Sequence, residues 1–305
     1  MSSIVSKVKP GSLHGGRPPA AVELAPEGVL AAALHGRGHA PAYAFAPLPA
    51  GALKPGIAEA NLPAPDAVAE AIRTALGELS PRTRAVTLVL PDTAARVFVL
   101  DFDSLPSKTA EALPVLRFRL RKMVPFDVEH AGISYQILSE NKSECRVLAV
   151  VIPGPILAEY ENVVREAGYD PGSVLPSSLA ALAALQTEQP VLAACLHGTA
   201  LTTSITHGDD LLLYRTIELP EDLALQLPEV QRDIAVAAAY FEDKLALRPD
   251  RLHYAGIGTA EGFARWLNDP ELKIVELTER PTTGAATALG NLSLAGIAGA
   301  LAGAA

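Results

Sequence analysis

The sequence is poor in the residues that mark several common classes of protein. Aromatic residues make up 5% of the 305 positions and charged residues 19%, and there are only two cysteines. Cys145 and Cys195 both lie in apolar runs, which excludes a disulfide framework and a cysteine metal knuckle and predicts buried thiols in a reducing compartment. Hydrophobic residues nevertheless make up 49% of the chain, so a large buried core is expected and extensive disorder is excluded.

Basic residues are also in the minority. The 25 Lys and Arg against 34 Asp and Glu give a net charge of −9, which repels phosphate backbones and argues against nucleic acid as a partner. No Gly-x-Ser-x-Gly elbow, Walker A loop or His-Glu-x-x-His zinc motif occurs. The sequence therefore predicts neither a metal site nor a catalytic group.

Long hydrophobic runs are missing from both ends. Residues 1–19 lack the continuous apolar segment of a signal peptide and are predicted to form a flexible tail rich in Gly, Ser and Pro. The uncharged stretch Leu289–Ala305 consists mainly of Ala and Gly and is shorter than the ~20 residues of a membrane span. It is predicted to be a packed terminal helix, and the protein is predicted to be cytoplasmic.

Two blocks of the chain repeat one order of strands, turns and a helix. In the first block, strands within Ala20–Leu34 and Tyr43–Leu48 precede a helix from about Asp66, its expected N-cap, to Leu79 and a buried strand Ala85–Leu90. In the second block, strands within Val191–Ile205 and Leu211–Leu219 precede a helix Glu229–Leu247 and a strand Arg251–Ala255. An α/β protein of two like lobes follows, with lobe 1 over residues 20–185 and lobe 2 over residues 186–305.

The middle of the chain fits neither block and predicts a subdomain inserted in the first lobe at about residues 92–170. Strands are predicted at Ala95–Phe102, Ile133–Leu138 and Arg146–Ile152, with helices at Ser107–Met123 and Pro155–Gly168. Gly168 is the expected C-cap of its helix, and Ser177 is expected to cap a further helix that ends near Leu185.

Two stretches carry a resemblance to a known family. Leu116–Tyr135 contains an Arg-rich helix followed by Met123-Val124-Pro125-Phe126, and Leu148–Leu185 runs from strand to helix to Glu166-Ala167-Gly168-Tyr169-Asp170-Pro171 and a second helix. Both resemble the PilM group of type IV pilus assembly, related to FtsA and to the cytoplasmic domain of GspL. The resemblance covers about residues 20–303 and implies an actin-like fold of duplicated ribonuclease-H-like lobes with the inserted α/β subdomain.

The resemblance also implies a nucleotide site between the lobes, where each lobe supplies a hairpin that begins with an acid. Here the first hairpin offers Glu23, and Pro26 removes a backbone donor from its turn. The second offers Leu196 in place of the acid, followed by Gly198 and Thr199. Gly256 and Gly258 retain part of the adenosine side, although a strand-to-helix turn that needs positive φ explains them as well. The sequence therefore predicts a degenerate nucleotide site that does not hydrolyse ATP. Binding of ATP and magnesium is possible there but is not expected.

One more departure from the family lies after Arg215. Only fourteen positions separate Arg215 from Glu229, so the fourth subdomain of the relatives is predicted to be reduced in this chain.

The resemblance implies a scaffold that binds the N-terminal tail of a PilN-like inner-membrane protein beside the pilus motor and platform components. The chain would then lie at the inner face of that membrane, which it would contact only through its partner. The candidate groove lies in the inserted subdomain and the first lobe. Its apolar contacts are assigned to Leu116, Leu120, Val124 and Phe126, and its polar rim is assigned to Arg117 and Arg121.

The sequence leaves several alternatives open. The apolar candidates could be core, and the basic cluster of Arg117, Arg119, Arg121 and Lys122 could face anionic lipid, an acidic partner or solvent. An active actin-like ATPase or a sugar-kinase-type phosphotransferase is a second function, which requires acids in the cleft. A GspL-like variant that serves a type II secretion system is a third, normally followed by a transmembrane helix.

Overall fold

Three β-sheets organise the chain in the computed structural model, which describes residues 17–36, 40–185, 187–279, 292–302 and 304. Two of the sheets have five strands and the third has three. Each five-stranded sheet is the centre of one lobe, and the three-stranded sheet belongs to an insert in the first lobe.

The first lobe surrounds a mixed sheet in the order β3-β2-β1-β4-β8. Its strands are β1 (Ala20–Ala25), β2 (Gly28–Ala33), β3 (Ala42–Pro47), β4 (Ala85–Leu90) and β8 (Asp170–Pro176), and its helices are α1 (Pro65–Leu79), α3 (Gly154–Glu166) and α4 (Ser177–Leu182). β1, β2 and β3 form an antiparallel meander, and β4 and β8 continue from β1 in parallel. The carboxyl ends of β1, β4 and β8 therefore share one edge of the sheet.

The second lobe repeats this topology in the order β11-β10-β9-β12-β13. Its strands are β9 (Pro190–His197), β10 (Ala200–His207), β11 (Asp210–Glu218), β12 (Arg251–Gly256) and β13 (Lys273–Glu276), and its helices are α5 (Leu223–Leu245) and α6 (Ala260–Leu267). β9, β10 and β11 form the meander, and β12 and β13 are parallel to β9. Both sheets thus place the third, second, first, fourth and fifth strands side by side, and the predicted duplication is present.

The insert is an antiparallel sheet in the order β5-β7-β6 with one helix. The elements are β5 (Arg96–Phe102), α2 (Thr109–Leu120), β6 (Gly132–Glu140) and β7 (Cys145–Ile152). The helix α3 that follows packs on α1 and β8 of the first lobe. The sheet and helix of the insert thus span β5 to β7, and α3 packs as part of the first lobe.

One apolar core runs through the first lobe and into the second. Val191, Ala193 and Cys195 of β9 belong to the core cluster of the first lobe, whereas Leu192 and Ala194 belong to the separate core of the second. Side chains alternate between the two faces of a strand, so β9 contributes to both cores at once. The lobes are joined by burial along this strand.

Several predicted boundaries differ from the structure because of local hydrogen bonding. Asp66 does not cap α1, since Pro65 begins the helix and Ala64 occupies the N-cap. α5 begins six residues before Glu229, because the Asp222 side chain accepts a hydrogen bond from the Ala224 backbone N–H at 2.9 Å. Pro228 lies inside this helix.

One further difference concerns the strands. Within the run Val191–Ile205, a turn at Gly198 and Thr199 separates β9 from β10, as the repeated order of strands and turns predicts. β8 was not predicted at all. Gly168 has φ of +91° directly after the C-cap of α3, in the expected position.

The two ends of the chain are only partly described. Of the predicted tail over residues 1–19, residues 1–16 lie outside the described residues, whereas Arg17 donates a hydrogen bond to the Gly299 carbonyl at 3.4 Å. Near the other end, α7 (Ala295–Leu301) packs on α4 and the first-lobe sheet. Of the remaining residues of the predicted terminal helix, 292–294, 302 and 304 are not helical, and 289–291, 303 and 305 lie outside the described residues. Among the described helices, none has the length and apolar character needed to cross a bilayer.

A buried amide fixes the loop between β3 and α1. Asn61 is 1% exposed and donates to the carbonyls of Gly56 and Glu59, while its Oδ1 accepts from the Tyr160 hydroxyl at 3.0 Å and from the Gly56 N–H at 2.9 Å. The loop is thereby tied to α3.

We expect Asn61→Ala to lower the free energy of unfolding by about 3 kcal/mol, because it leaves several buried polar groups without partners. Tyr160→Phe should cost about 1 kcal/mol, since it removes a single hydrogen bond. Urea unfolding measures both, with Tyr169→Phe as a matched control that should change stability little. Equal stability of Asn61→Ala and the native chain would contradict this role for the amide.

Candidate functional site

The carboxyl ends of three parallel strands of one lobe and of two parallel strands of the other meet in the cleft between the lobes. β1, β4 and β8 reach it from the first lobe, and β9 and β12 reach it from the second. They enclose a cavity of about 270 Å³, at the edge where open α/β sheets bind their ligands. The lining combines apolar and polar groups from both lobes, among them Glu23, Leu24, Pro26, Glu27, Leu30, Asp92, Ser177, His197, Gly198, Thr199, Gly256 and Ile257.

A buried carboxylate, Asp92, links three of these strand ends. It follows β4 and is 5% exposed. Its Oδ1 accepts from the Ser178 backbone N–H at 2.9 Å, and its Oδ2 accepts from the Ser178 hydroxyl at 2.5 Å and faces Nδ1 of His197 at 3.2 Å. Asp92 therefore connects the ends of β4 and β8 in the first lobe to the end of β9 in the second.

His197 is the partner that the second lobe contributes to this link. Its side chain is 24% exposed. Burial by itself lowers the pKa of the imidazole, but Asp92, Glu23 and Glu27 outweigh that effect, so that the pKa lies above its usual value. The protonated form is stabilised in the folded protein, where it offsets part of the negative charge in the cleft.

Glu23 is also committed to contacts within the chain. It is 8% exposed, and its Oε1 accepts from the Ser177 hydroxyl at 2.5 Å. Burial raises the pKa of this carboxyl, whereas His197, the Ser177 hydroxyl and the Ile297 backbone N–H act in the opposite direction. The candidate acid of the first hairpin thus joins β1 to the start of α4 and to the first turn of α7.

The strand pairing of the second hairpin shows that the position of the missing acid is not that of Leu196. The β1–β2 hairpin closes at the pair Ala25 and Gly28, and the β9–β10 hairpin closes at the pair His197 and Ala200. Two residues before each closing pair lie Glu23 and Cys195, which makes Cys195 the counterpart of Glu23.

Leu196, to which the sequence assigned that place, packs against the core of the second lobe. It does so because it lies on the opposite face of β9 from its neighbours in sequence. Cys195 is 2% exposed, and burial raises the pKa of its thiol to about 12, as is typical of a cysteine that packs in a core.

The glycine candidates fall into two groups. Gly198, with φ of +58°, and Thr199 form an exposed turn that lines the cavity. Gly256 also lines it, but a Cβ at this position would lie 2.2 Å from the Leu196 carbonyl oxygen, so close packing of β12 on β9 explains the glycine. Gly258, with φ of +82°, is not among the lining residues.

Beyond this loop, the first turn of α6 is already occupied. The Glu276 carboxylate accepts from the Ala260 N–H at 2.8 Å, and the Thr259 hydroxyl accepts from the Gly262 N–H at 3.0 Å. A helix N-terminus attracts anions through such N–H groups, and here the chain's own side chains take that place.

The partner candidates of the insert are separated by the structure. Leu116 and Leu120 are 0% exposed and Val124 is 8% exposed, all three within the core of the insert. As direct partner contacts they are corrected to core positions. Phe126 is half-buried and keeps some exposed surface.

The two arginine candidates hold the loop after α2. Arg117 donates to the Val128 carbonyl oxygen, to that of Glu129 at 3.1 Å and to that of Ala131 at 3.5 Å. Arg121 forms an ion pair with the Glu129 carboxylate and remains exposed.

Sequence reasoning missed Asp92, Ser177 and His197 as cleft residues. Each follows the end of a buried strand or closes it, and that position is the signal that could have found them. Within the described part of the chain, no three His, Cys, Asp or Glu side chains are grouped so as to hold a metal ion.

Comparison with known proteins gives likeness of structure without likeness of sequence. No family model and no curated protein matches the sequence. A structure of a PilM–PilN type IV pilus biogenesis complex aligns over 94% of this chain and 98% of that one, with a TM-score of 0.72 and 19% identity. The cytoplasmic domain of EpsL, an inner-membrane component of the type II secretion system of Vibrio cholerae, aligns over 90% and 96%, with a TM-score of 0.50 and 13% identity.

These likenesses and the duplicated sheets show an actin-like α/β fold. The fold that the resemblance implied is confirmed.

The raised pKa of His197 gives a pH dependence with a defined sign. Because the folded-state pKa lies above the usual value of 6.5, the stabilisation is complete below about pH 6.5 and is lost as the pH rises through the folded-state pKa. We expect His197→Gln to flatten this fall in the free energy of unfolding, measured by urea unfolding at several pH values. His207→Gln, on an exposed turn, should leave the fall unchanged, and an equal fall in all three proteins would contradict the assignment.

Because Glu23 packs closely on α7, a methyl group added at Gly296 of that helix should affect the stability of the protein. A Cβ at Gly296 would lie 2.6 Å from both Glu23 Oε1 and Ser177 Oγ, so Gly296→Ala should lower the free energy of unfolding by about 2 kcal/mol through overpacking. At Gly77 of α1 a Cβ would meet nothing within 4 Å, and Gly77→Ala should raise it by about 0.5 kcal/mol. Thermal unfolding of both variants tests the pair, and equal shifts would contradict the packing argument.

Proposed function

We propose that this chain is an actin-like scaffold of an inner-membrane assembly platform, that of a type IV pilus or of a related type II secretion system. The observation that carries the proposal is the cleft between the lobes, where Asp92, Ser178 and His197 fasten the lobes together. The overall likeness to PilM bound to PilN supports the choice of machine. In this role the chain lies in the cytoplasm, at the inner face of the membrane, beside the motor and platform components.

The cleft is poorly suited to ATP and magnesium. Glu23, Glu27 and Asp92 place three carboxyl groups on its wall. Glu23 and Asp92 already accept hydrogen bonds from Ser177 and Ser178, and carboxylates that hold no cation repel phosphate. Pro26 supplies no N–H to the first turn, and Cys195 stands at the position that corresponds to Glu23. Glu276 already holds the first turn of α6. We therefore infer a degenerate nucleotide site that does not hydrolyse ATP.

The proposed partner is the N-terminal tail of a PilN-like inner-membrane protein. Phe126 is the one of the four apolar candidates that retains exposed surface beside the insert, and Arg121 is exposed nearby. An extended tail docks on such a surface through one apolar anchor and a charged rim. The groove between the insert and the first lobe is the proposed location.

An active actin-like ATPase or sugar-kinase-type phosphotransferase is the second candidate. It is favoured by one observation, the open turn at Gly198 and Thr199, where a Cβ at Gly198 would meet nothing within 4 Å. Backbone N–H groups in such a turn can hold a phosphate. The cavity and this turn are what an enzyme would use.

Titration calorimetry of the full chain separates these functions. The first ligand is a synthetic peptide of the N-terminal tail of the PilN-like protein from the same genome, and the second is ATP with magnesium. We expect saturable heat with the peptide, none with a scrambled peptide and none with ATP. Phe126→Ala should weaken peptide binding about tenfold through the loss of a buried aromatic anchor, whereas Phe98→Ala, on β5 of the insert, serves as the matched aromatic control.

Two results would contradict the proposal. Saturable binding of ATP by the native chain would favour the second candidate and call for a turnover assay. Absence of heat with the tail peptide would remove the proposed partner. Leu196→Asp is unsuited as a test of the lost acid, because Leu196 lies on the opposite face of β9 and packs against the core of the second lobe. Cys195→Asp places the acid at the position that corresponds to Glu23, and urea unfolding of this variant shows whether the fold is kept.

A further inference from the structure

The helix α2 of the insert is apolar on two sides. One side carries Ala112, Leu116 and Leu120, which are all 0% exposed and pack in the core of the insert. The other side carries Val115 and Phe118, which are 37% and 70% exposed, and Met123 follows with 41% exposure. A helix that packs on one side only normally has polar residues on its outer side, so the outer apolar residues need another explanation.

The basic residues of α2 and of the turn that follows it divide in the same way. Arg117 and Arg121 are held by the loop over residues 128–131. Arg119 and Lys122 are exposed and have no ion pair or side-chain hydrogen bond within the described part of the chain. Val115, Phe118, Arg119 and Lys122 are spaced three, four and seven residues apart, which places them on one face. These four residues and Met123 are called the α2 patch.

The charge of this region is opposite to that of the whole chain. Residues 108–130 contain five Lys and Arg and three Asp and Glu, whereas the net charge of the chain is −9. An anionic surface would therefore repel most of this protein and attract the α2 patch. The protein can therefore approach an anionic surface only with the α2 patch facing it, which fixes its orientation.

We infer that the α2 patch docks on an anionic lipid bilayer, with Phe118, Val115 and Met123 entering the headgroup region and Arg119 and Lys122 contacting lipid phosphates. The shape of the surface favours lipid over a protein partner. The outer side of a helix is convex, and the Phe118 ring stands clear of its neighbours, whereas a peptide requires a concave groove. A bilayer interface accepts a convex apolar face flanked by basic residues because its headgroups move aside.

This inference rests on the proposed function, because it needs the chain to be near a membrane. The sequence assigned membrane contact to the partner alone; the α2 patch adds a second, direct contact. Each Arg or Lys close to an anionic surface strengthens binding about fivefold, so the patch by itself gives weak and reversible attachment. Combined with a membrane-anchored partner, two weak contacts act together through a raised local concentration.

Co-sedimentation of the full chain with lipid vesicles tests the inference. The vesicles contain equal parts of phosphatidylglycerol and phosphatidylcholine, and phosphatidylcholine alone is the comparison. We expect binding to the anionic vesicles only, which weakens as salt is added. Arg119→Glu combined with Lys122→Glu should lower the partition coefficient by more than about tenfold, and Phe118→Ser should lower it about tenfold.

Matched controls keep charge and apolar exposure constant elsewhere on the protein. Arg82→Glu with Lys273→Glu changes the net charge equally at exposed positions outside the insert, and Leu223→Ser removes a residue that is 74% exposed on α5. Both controls should bind vesicles as the native chain does. Urea unfolding of every variant confirms that the fold is kept.

Three outcomes would overturn the inference. The first is that the native chain shows no preference for anionic vesicles. The second is that the patch variants and the controls lose vesicle binding equally. The third is that the patch variants lose tail-peptide binding while no protein binds vesicles, which would assign the patch to the protein partner. Vesicle binding that fails while the tail peptide still binds overturns only the lipid contact. Tail-peptide binding that fails while vesicle binding persists overturns only the proposed partner.

Discussion

A buried carboxylate needs hydrogen-bond donors, and Asp92 obtains them from both lobes. Its two oxygens take the N–H and hydroxyl of Ser178 and face the His197 imidazole. Because one partner begins α4 and the other ends β9, satisfying this single group fixes the ends of three strands in one arrangement. Removal of either partner would leave the charge buried and incompletely paired, which is far more costly than the loss of an exposed ion pair. The relative position of the lobes thus depends on the solvation of one side chain.

Duplication supplied the same framework twice, and the two copies now differ at the point where they face each other. The sheets share one strand order, yet the matching hairpin positions carry Glu23 in one lobe and Cys195 in the other. Glu23 remains ionisable but is enclosed by Ser177 and α7, and Cys195 is part of the apolar core. At the first hairpin Glu23 makes contacts within its own lobe, and at the second hairpin Cys195 makes a contact between the lobes.

The sequence predicts the fold better than the site. Periodicity and turn residues identified the duplicated strands, the inserted helix and the C-cap at Gly168, because these depend on local patterns of burial and backbone conformation. The link between Asp92, Ser178 and His197 joins positions far apart in the chain, and no local pattern shows which strand ends will meet. The error at Leu196 has a similar cause. A shift of one residue along a strand moves the side chain to the opposite face, and only the pairing of β9 with β10 shows which residue points into the cleft.

A cleft that opens and closes around a nucleotide must separate its lobes at low cost. In this chain, separation would expose Val191, Ala193 and Cys195 of β9 together with the first-lobe residues that cover them. It would also break the contact between Arg96 of the insert and Glu218 of the second lobe, at 2.5 Å. Exposure of apolar side chains costs about 1.5–3 kcal/mol for each large one, so the closed arrangement is strongly favoured without any ligand. A body of this kind holds its surfaces in fixed positions, which is what an assembly platform requires of a scaffold.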